Sequence, residues 1–309
     1  MINIMKNLPL LTILTPTYNR VLELTRVYES LIVQSSKNFK WMIIDDGSID
    51  STESVVAQWI HEGIIPISYK KQINSGKVRT MNVGIKEAET ALWLCLDSDD
   101  WLNSNAVQII ENEYQKIKDD SLLCGMIGLR YTSNEKTMQN KIIPIEFDKV
   151  NYQTLRYKLK IAPEYVEIFK TDILKKYLYP EIQNEKYFPL SYLHDQLSQK
   201  YDFLVLHQPV MYIEYQDSGM TKKRTELILK NPIGYMLFKK QLLELAPTFK
   251  IAIVSAVTYN SATILAHDRP TINTLRGKVL TYLTYPLGVI DYLVRFKWKY
   301  NIHLEKTYE

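Results

Sequence analysis

Four short apolar stretches, each stopped by polar or turn-forming residues, set the limits on what this chain can fold into. Residues 9–14 break at Thr15-Pro16-Thr17-Tyr18-Asn19-Arg20, and 41–44 end at Asp45-Asp46-Gly47-Ser48. Residues 67–70 run into Gln72 and the turn Asn74-Ser75-Gly76-Lys77, and 91–96 stop in Asp97-Ser98-Asp99-Asp100. Apolar runs of this length with turn residues at their ends are the pattern of buried strands. Helical periodicity fills the gaps. Leu24, Val27, Leu31 and Tyr28 share one face, with Asn19 as the expected cap. Asp50 and Glu53 suit a capping box for a helix to about His61. Val78, Met81, Asn82 and Ile85 belong to a third helix opened by Asn74–Lys77. Strand–helix alternation with short connections predicts an α/β fold around a mostly parallel sheet with right-handed crossovers. The carboxyl ends of the strands then line one edge, where such sheets bind ligands.

That edge gathers the polar strand ends. Asp97 and Asp99, two apart on an extended segment, face one spot. Paired carboxylates repel, so such a pair shares a proton or holds a divalent cation. Alternatively, Asp97 ends the strand and Asp99 caps the next helix. Asp45 suits a pyrimidine N–H or a ribose hydroxyl, or it organises the Asp-Gly turn with Asp46. Tyr18 can stack on a base or pack on the sheet edge, and Lys77 can reach a phosphate or stay solvated. Neither a Gly-x-Gly-x-x-Gly dinucleotide loop nor a P-loop is present.

Composition narrows the partners. A net charge of +4 is too small to argue for nucleic acid. Two cysteines, Cys95 and Cys124, give neither a disulfide framework nor zinc spacing, which favours a reducing, cytoplasmic compartment. The first residues lack a secretory cleavage pattern, and no apolar run reaches the ~18 residues of a spanning helix. The 22 tyrosines suit grooves and membrane interfaces.

Four stretches together, Thr-Pro-Thr-Tyr-Asn-Arg (15–20), Ile-Ile-Asp-Asp-Gly-Ser-Ile-Asp-Ser-Thr (43–52), Asn-Ser-Gly-Lys-Val-Arg-Thr-Met-Asn-Val-Gly-Ile (74–85) and Leu-Asp-Ser-Asp-Asp (96–100), carry a family resemblance. In order and spacing the chain resembles the family 2 glycosyltransferases of the GT-A fold, which build bacterial surface polysaccharides such as capsule. The resemblance implies a UDP-sugar donor, with Thr15, Pro16, Thr17 and Tyr18 at the uracil end and Asp45, backed by Asp46, at the base or ribose. It implies Lys77 and Asn82 on the ribose and phosphate side, and Asp97 and Ser98 beside the ribose or sugar. Asp99, with Asp97, would hold Mn²⁺ or Mg²⁺ on the pyrophosphate, since aspartates alone would repel it. For an inverting transfer a carboxylate must take the acceptor proton. Asp195 is the choice, with Glu181 and Glu185 as rivals, although His194 stands where the family commonly has Glu.

The organisation expected is a nucleotide-sugar half over 1–120, an acceptor-binding half over 121–230 and a helical region over 231–309. Strands are expected at 122–130, 142–147 and 166–169 and within 204–215, with helical segments at 152–158 and 171–177. Asp217-Ser218-Gly219-Met220-Thr221 resembles a loop that closes over donor phosphates, with Lys222, Lys223 and Arg224 adding positive charge. The stretch 279–290, followed by Arg295, Lys297, Trp298 and Lys299, suits an anionic membrane surface, a helical cover or a dimer contact. Without a Gln-x-x-Arg-Trp motif, one sugar per encounter to a saccharide acceptor, lipid-linked, is expected. The competing readings are a nucleotidyltransferase acting on a sugar phosphate and a non-catalytic scaffold that binds a nucleotide-sugar.

Overall fold

The computed structural model describes residues 8–134, 136–137, 141–161, 164–214 and 224–298. The expected alternation is present: β1 (Leu11–Thr17), α1 (Val21–Ile32), β2 (Phe39–Asp45), α2 (Thr52–Glu62), β3 (Ile67–Lys71), α3 (Lys77–Glu87) and β4 (Leu92–Cys95). β1 pairs in parallel with β2 and β4, and β2 with β3. Leu11, Ile13, Trp41 and Ile43 are fully buried, as a sheet covered on both faces requires. Three aromatic rings bind α1 and α2 to this sheet. Tyr28 stacks on Trp59 at 4.4 Å, and both lie beside Trp41, whose Nε1 donates to Thr15 Oγ1 at 2.9 Å.

The sheet continues through β5 (Trp101–Leu102), α4 (Ala106–Ile117), β6 (Leu123–Thr132), β7 (Lys149–Val150), β8 (Tyr165–Lys170), α5 (Thr171–Leu174), α6 (Tyr192–Leu197) and β9 (Asp202–Ile213). Strand order is β3-β2-β1-β4-β8-β6-β9-β5, with β7 on β9. β8 runs antiparallel to both neighbours, so the parallel half and the later strands form one mixed sheet. That sheet draws on both the 1–120 and the 121–230 stretches. β9 passes through Pro209 without breaking because its pairing with β6 shifts register between Gly128 and Arg130. A residue lacking an N–H is tolerated at such an irregularity.

Three local expectations fail. Asp50 and Glu53 form no capping box: α2 begins at Thr52 after Ser51, Asp50 Oδ1 accepts from Thr52 N at 3.1 Å and Glu53 pairs with Lys71. Residues 142–147 form no strand; Pro144 opens a turn closed by Phe147 N donating to Pro144 O at 3.0 Å. Asn19 does not cap α1. It sits at φ 51° and its side-chain oxygen accepts from Ile49 N at 2.8 Å. Residues 154–158, within the expected helical segment, are π-helical.

By backbone packing the chain divides into two units. The first runs to Tyr179 and resumes at Leu197 with β9; the second holds Pro180–Gln196 and the C-terminal helices. Those helices are α7 (Arg224–Lys230), α8 (Pro232–Glu244), α9 (Phe249–Leu265) and α10 (Leu275–Tyr292), the last continuing into a π-helical stretch at Leu293–Trp298. Small residues let α9 and α10 approach closely. Ala252, Ala256 and Ala262 are fully buried, and a Cβ on Gly288 would lie 2.3 Å from Asn260 Cβ. No helix among the described residues is long and apolar enough to cross a membrane.

Candidate active site

The four polar strand ends are bonded to one another. Asn19 N donates to Ser48 Oγ at 2.9 Å and Asp46 N to Thr17 O at 2.8 Å, which joins the turns after β1 and β2. The turn after β2 is tied in turn to the loop before α3. Asp46 Oδ1 accepts from Gln72 Nε2 and Ser75 N, each at 2.8 Å, and Oδ2 from Gly76 N at 2.8 Å. Gly47, at φ +91°, lies so close to Gln72 O and Asn74 N that a Cβ would sit 3.1 Å from each. Only glycine meets both conditions easily.

The aspartates after β4 close the arrangement, each facing a cation. Lys77, the first residue of α3, meets Asp97 at 2.6 Å, and Arg20 meets Asp99 Oδ2 at 2.8 Å. Arg130, from β6, lies 3.3 Å from Asp100. Burial works against charge on both members of the Lys77–Asp97 pair, but their mutual attraction wins. Lys77 is held above and Asp97 below the ordinary value. At Asp100 burial wins. Despite Arg130, and with Asp97 and Asp99 adding repulsion, its pKa is pushed up to about 7.

The remaining expected site residues fall into two groups. Tyr18 is 47% exposed, and the side chains of Asp97 and Asp99 are 22% and 24% exposed, so these can meet a ligand. Pro16 is half-buried beside them in sequence. The others are buried: Thr15, whose hydroxyl holds Trp41; Thr17; Ser98; Asp45 and Asp46. Both Asp45 oxygens are engaged, by Ser48 N at 2.7 Å and Tyr69 Oη at 2.6 Å. Asp45 and Asp46 thus hold turns in this structure. Asn82 is 1% exposed, and its amide is spent on the backbone of Tyr179, donating at 2.9 Å and accepting at 3.0 Å. Asn82, expected on the ribose and phosphate side, is tied in this structure to the backbone at Tyr179.

In the second unit, Asp195 lies in α6, buried at 5% exposure, next to buried His194. Its rival Glu185 accepts from Ile233 N and Gly234 N, each at 2.7 Å, and so holds the start of α8. The expected loop 217–221 and Lys222 and Lys223 lie outside the described residues.

Sequence reasoning passed over three arginines and a tryptophan. Besides Arg20 and Arg130, Arg26 donates to Asp99 O at 2.5 Å and to Glu214 at 2.5 Å. Its guanidinium lies 4.5 Å from the Trp101 ring centre, and Trp101 stacks on Tyr212. Arg20 stood inside a quoted motif and could have been singled out. Arg26 and Arg130 carry no local signal, because their partners come from distant strands.

A donor edge carrying cations beside carboxylates can bind a diphosphate while repelling it locally, unless a metal intervenes. Among the described residues no partner engages Oδ1 of Asp99, and no three His, Cys, Asp or Glu side chains are placed to hold a metal ion by themselves. One or two carboxylates completed by substrate phosphates and water is how Mg²⁺ is commonly held. The donor set fits an ion that arrives with its nucleotide.

Known proteins resemble this chain in sequence and fold. Poly(ribitol-phosphate) beta-N-acetylglucosaminyltransferase TarS of Staphylococcus aureus is 26% identical over 190 residues, covering 60% of this chain but 31% of TarS. The chain thus aligns with about a third of that relative. An uncharacterized glycosyltransferase of Haemophilus influenzae is 25% identical over 188 residues, 59% of this chain and 70% of that protein. Among solved structures, TarS 1–349 superposes with TM-score 0.57 at 17% identity, over 94% of this chain and 91% of that one. The same fragment has been solved with UDP and with UDP-GlcNAc. Mannosyltransferase PcManGT of Pyrobaculum calidifontis, in complex with GDP-Man and Mn²⁺, gives TM-score 0.52 at 15% identity, over 94% and 88%. These likenesses show the GT-A fold. The profile of glycosyl transferase family 2 matches residues 12–178, more than half of the chain, and the protein belongs to that family.

Proposed function

We propose that this glycosyltransferase moves a single sugar, with inversion, from a UDP-sugar to a saccharide acceptor, lipid-linked, in surface polysaccharide synthesis. The observation that carries the reading is the bonded ring of four strand ends with Lys77–Asp97 and Arg20–Asp99 at its open rim. Family membership favours transfer over the nucleotidyltransferase and scaffold readings. The relative TarS, whose solved fragment binds UDP and UDP-GlcNAc, supports a UDP-sugar.

The chain's own residues divide the work. Tyr18 offers its exposed ring to the base. Lys77 and Arg20 sit where the phosphates would lie and can exchange an aspartate for a phosphate oxygen. Asp99, with Asp97 beside it, would hold Mn²⁺ or Mg²⁺. Bound there, such an ion supplies Lewis-acid stabilisation of charge on the departing diphosphate. Asp195 is the proposed base, taking the proton from the acceptor hydroxyl. A panel of UDP- and GDP-sugars with Mn²⁺, scored by the rise in melting temperature and by turnover, tests the reading. Preference for a UDP-sugar, lost with EDTA, is expected; equal response to every nucleotide-sugar, or full turnover in EDTA, would overturn donor or metal.

Peripheral contact with the inner face of the cell membrane belongs to the same proposal. Leu275, Val279, Tyr282, Leu283, Leu287 and Ile290 form an exposed apolar stripe along α10, with Trp298 exposed beyond it. Arg276, Lys278, Arg295 and Lys297 flank the stripe. Apolar and aromatic side chains edged by cations suit an anionic interface. Flotation with anionic vesicles at low salt, reduced by Tyr282→Ser with Leu283→Ser, is expected. No flotation of the native protein would remove this part of the proposal.

A further inference from the structure

A cavity of about 840 Å³ opens at the other end of the central strands, in the first unit. It is bordered by Ala91 just before β4, by the end of α4, and by the start of α5. Five residue steps lead from Leu92, next to the lining residue Ala91, to Asp97, so the cavity lies roughly 16 Å from the donor aspartates.

Its wall is cationic. Lys118, Lys170, Lys175, Lys176 and Lys200 line it, against the carboxylates of Glu89, Asp119 and Asp172. Lys118, Lys175 and Lys176 are exposed and form no ion pair among the described residues. Lys170 is only 8% exposed, yet among the described residues its ammonium is in ion-pair contact with no carboxylate, Asp172 and Asp120 acting on it only from a distance; it donates to Asp120 O at 2.7 Å. Burying an ammonium against a single carbonyl is costly, and an anion in the cavity would relieve that cost. Thr171, also lining the cavity, is 4% exposed and its hydroxyl oxygen has no hydrogen-bond partner among the described residues. Tyr114, half-buried, adds aromatic surface on which a sugar ring can lie. The volume is that of a pocket for an organic ligand and far exceeds what a lone ion needs.

We propose that this cavity is a second binding site, taking a phosphate-bearing polyhydroxyl ligand whose phosphate is held by Lys170, Lys175 and Lys176. Such a ligand is either a free sugar or polyol phosphate, or one stretch of a phosphodiester-linked chain. The proposal stands apart from the donor edge and survives if the donor assignment fails.

Titration calorimetry on the whole protein, with UDP and Mn²⁺ saturating the donor edge, tests it. The probes are glucose 1-phosphate, glycerol 3-phosphate, a glycerol-phosphate oligomer and, as the uncharged control, glucose. Binding of the phosphates but not glucose is expected, falling at least tenfold in Lys175→Ala/Lys176→Ala and weakening as salt rises. Because both lysines are exposed, that variant keeps its fold where Lys170→Met could lose it. The melting shift produced by UDP stays as in the native protein. Tenfold tighter binding of the oligomer identifies a polymer segment; equal affinity identifies a free phosphate. No binding of any phosphate, or equal binding by the double variant, overturns the proposal.

Discussion

Replacing Asp46 by alanine is expected to unfasten the loop that presents Lys77. The Asp46 carboxylate accepts from Gln72 Nε2, Ser75 N, Gly76 N and, at 3.2 Å, Ser75 Oγ. Hydrogen bonds to a charged group contribute about 1.5–3 kcal/mol each. The sum overstates the effect, because Ser75 and Gly76 are half-buried and water can reach their amides once the carboxylate is gone. A net loss of about 3 kcal/mol follows, a drop of about 6–12 °C in melting temperature for a unit of roughly 200 residues. Asp46→Asn keeps one acceptor but turns an NH₂ toward a donor, so about half that loss is expected. The amides of Ser75 and Gly76 report directly. Hydrogen exchange protects them in the native protein and frees them in the variant. Donor affinity falls as well, since Lys77 follows Gly76 and loses its fixed place beside Asp97. An Asp46→Ala protein that melts within about 2 °C of the native one, with both amides still protected, would refute the reasoning.

Asp99→Asn should lower kcat by about a hundredfold or more, about 2.7 kcal/mol, while the melting temperature without ligand changes little; full activity would exclude the metal role. Asp195→Asn should lower kcat comparably yet leave the melting shift produced by the donor intact, and loss of that shift would reassign the residue to donor binding. Gly125→Ala should prevent a stable sheet, because the added Cβ would meet Ile168 O at 2.0 Å where β6 pairs β8; recovery of a cooperative melt near the native temperature would contradict this. Gly84→Ala sets two effects against each other. Helix propensity gains about 1 kcal/mol, but the Cβ would fall 2.5 Å from Leu14 Cδ2, a side chain fully buried, and overpacking costs about 1–3 kcal/mol. Net destabilisation in urea titration is expected.

How far the sequence reaches depends on the range of the interactions. The first four strands and three helices follow from local pattern, since an apolar run and a 3.6-residue stripe are each decided within a dozen residues. Because parallel crossovers bring carboxyl ends to one edge, the meeting of residues 15–20, 45–48, 72–77 and 97–100 was legible too. What each side chain does there was less so. Asp45, Asp46 and Asn82 read as ligand groups because they are polar and lie at strand ends. Yet loops packed this tightly need buried acceptors of their own, and Tyr69 Oη, Gly76 N and Tyr179 N donate to them. The reverse error hid Arg26 and Arg130. Each sits within a regular element, where an arginine reads as a solvated surface residue, and only the strand order brings Glu214 to the first and Asp100 to the second. For Arg130 the cause is general. A carboxylate cluster at a sheet edge must be neutralised, and nothing in local spacing says which distant cation does so. Counting the aspartates that a fold brings together, and then requiring an equal number of cations from other elements, would have predicted that such partners exist before any coordinates named them.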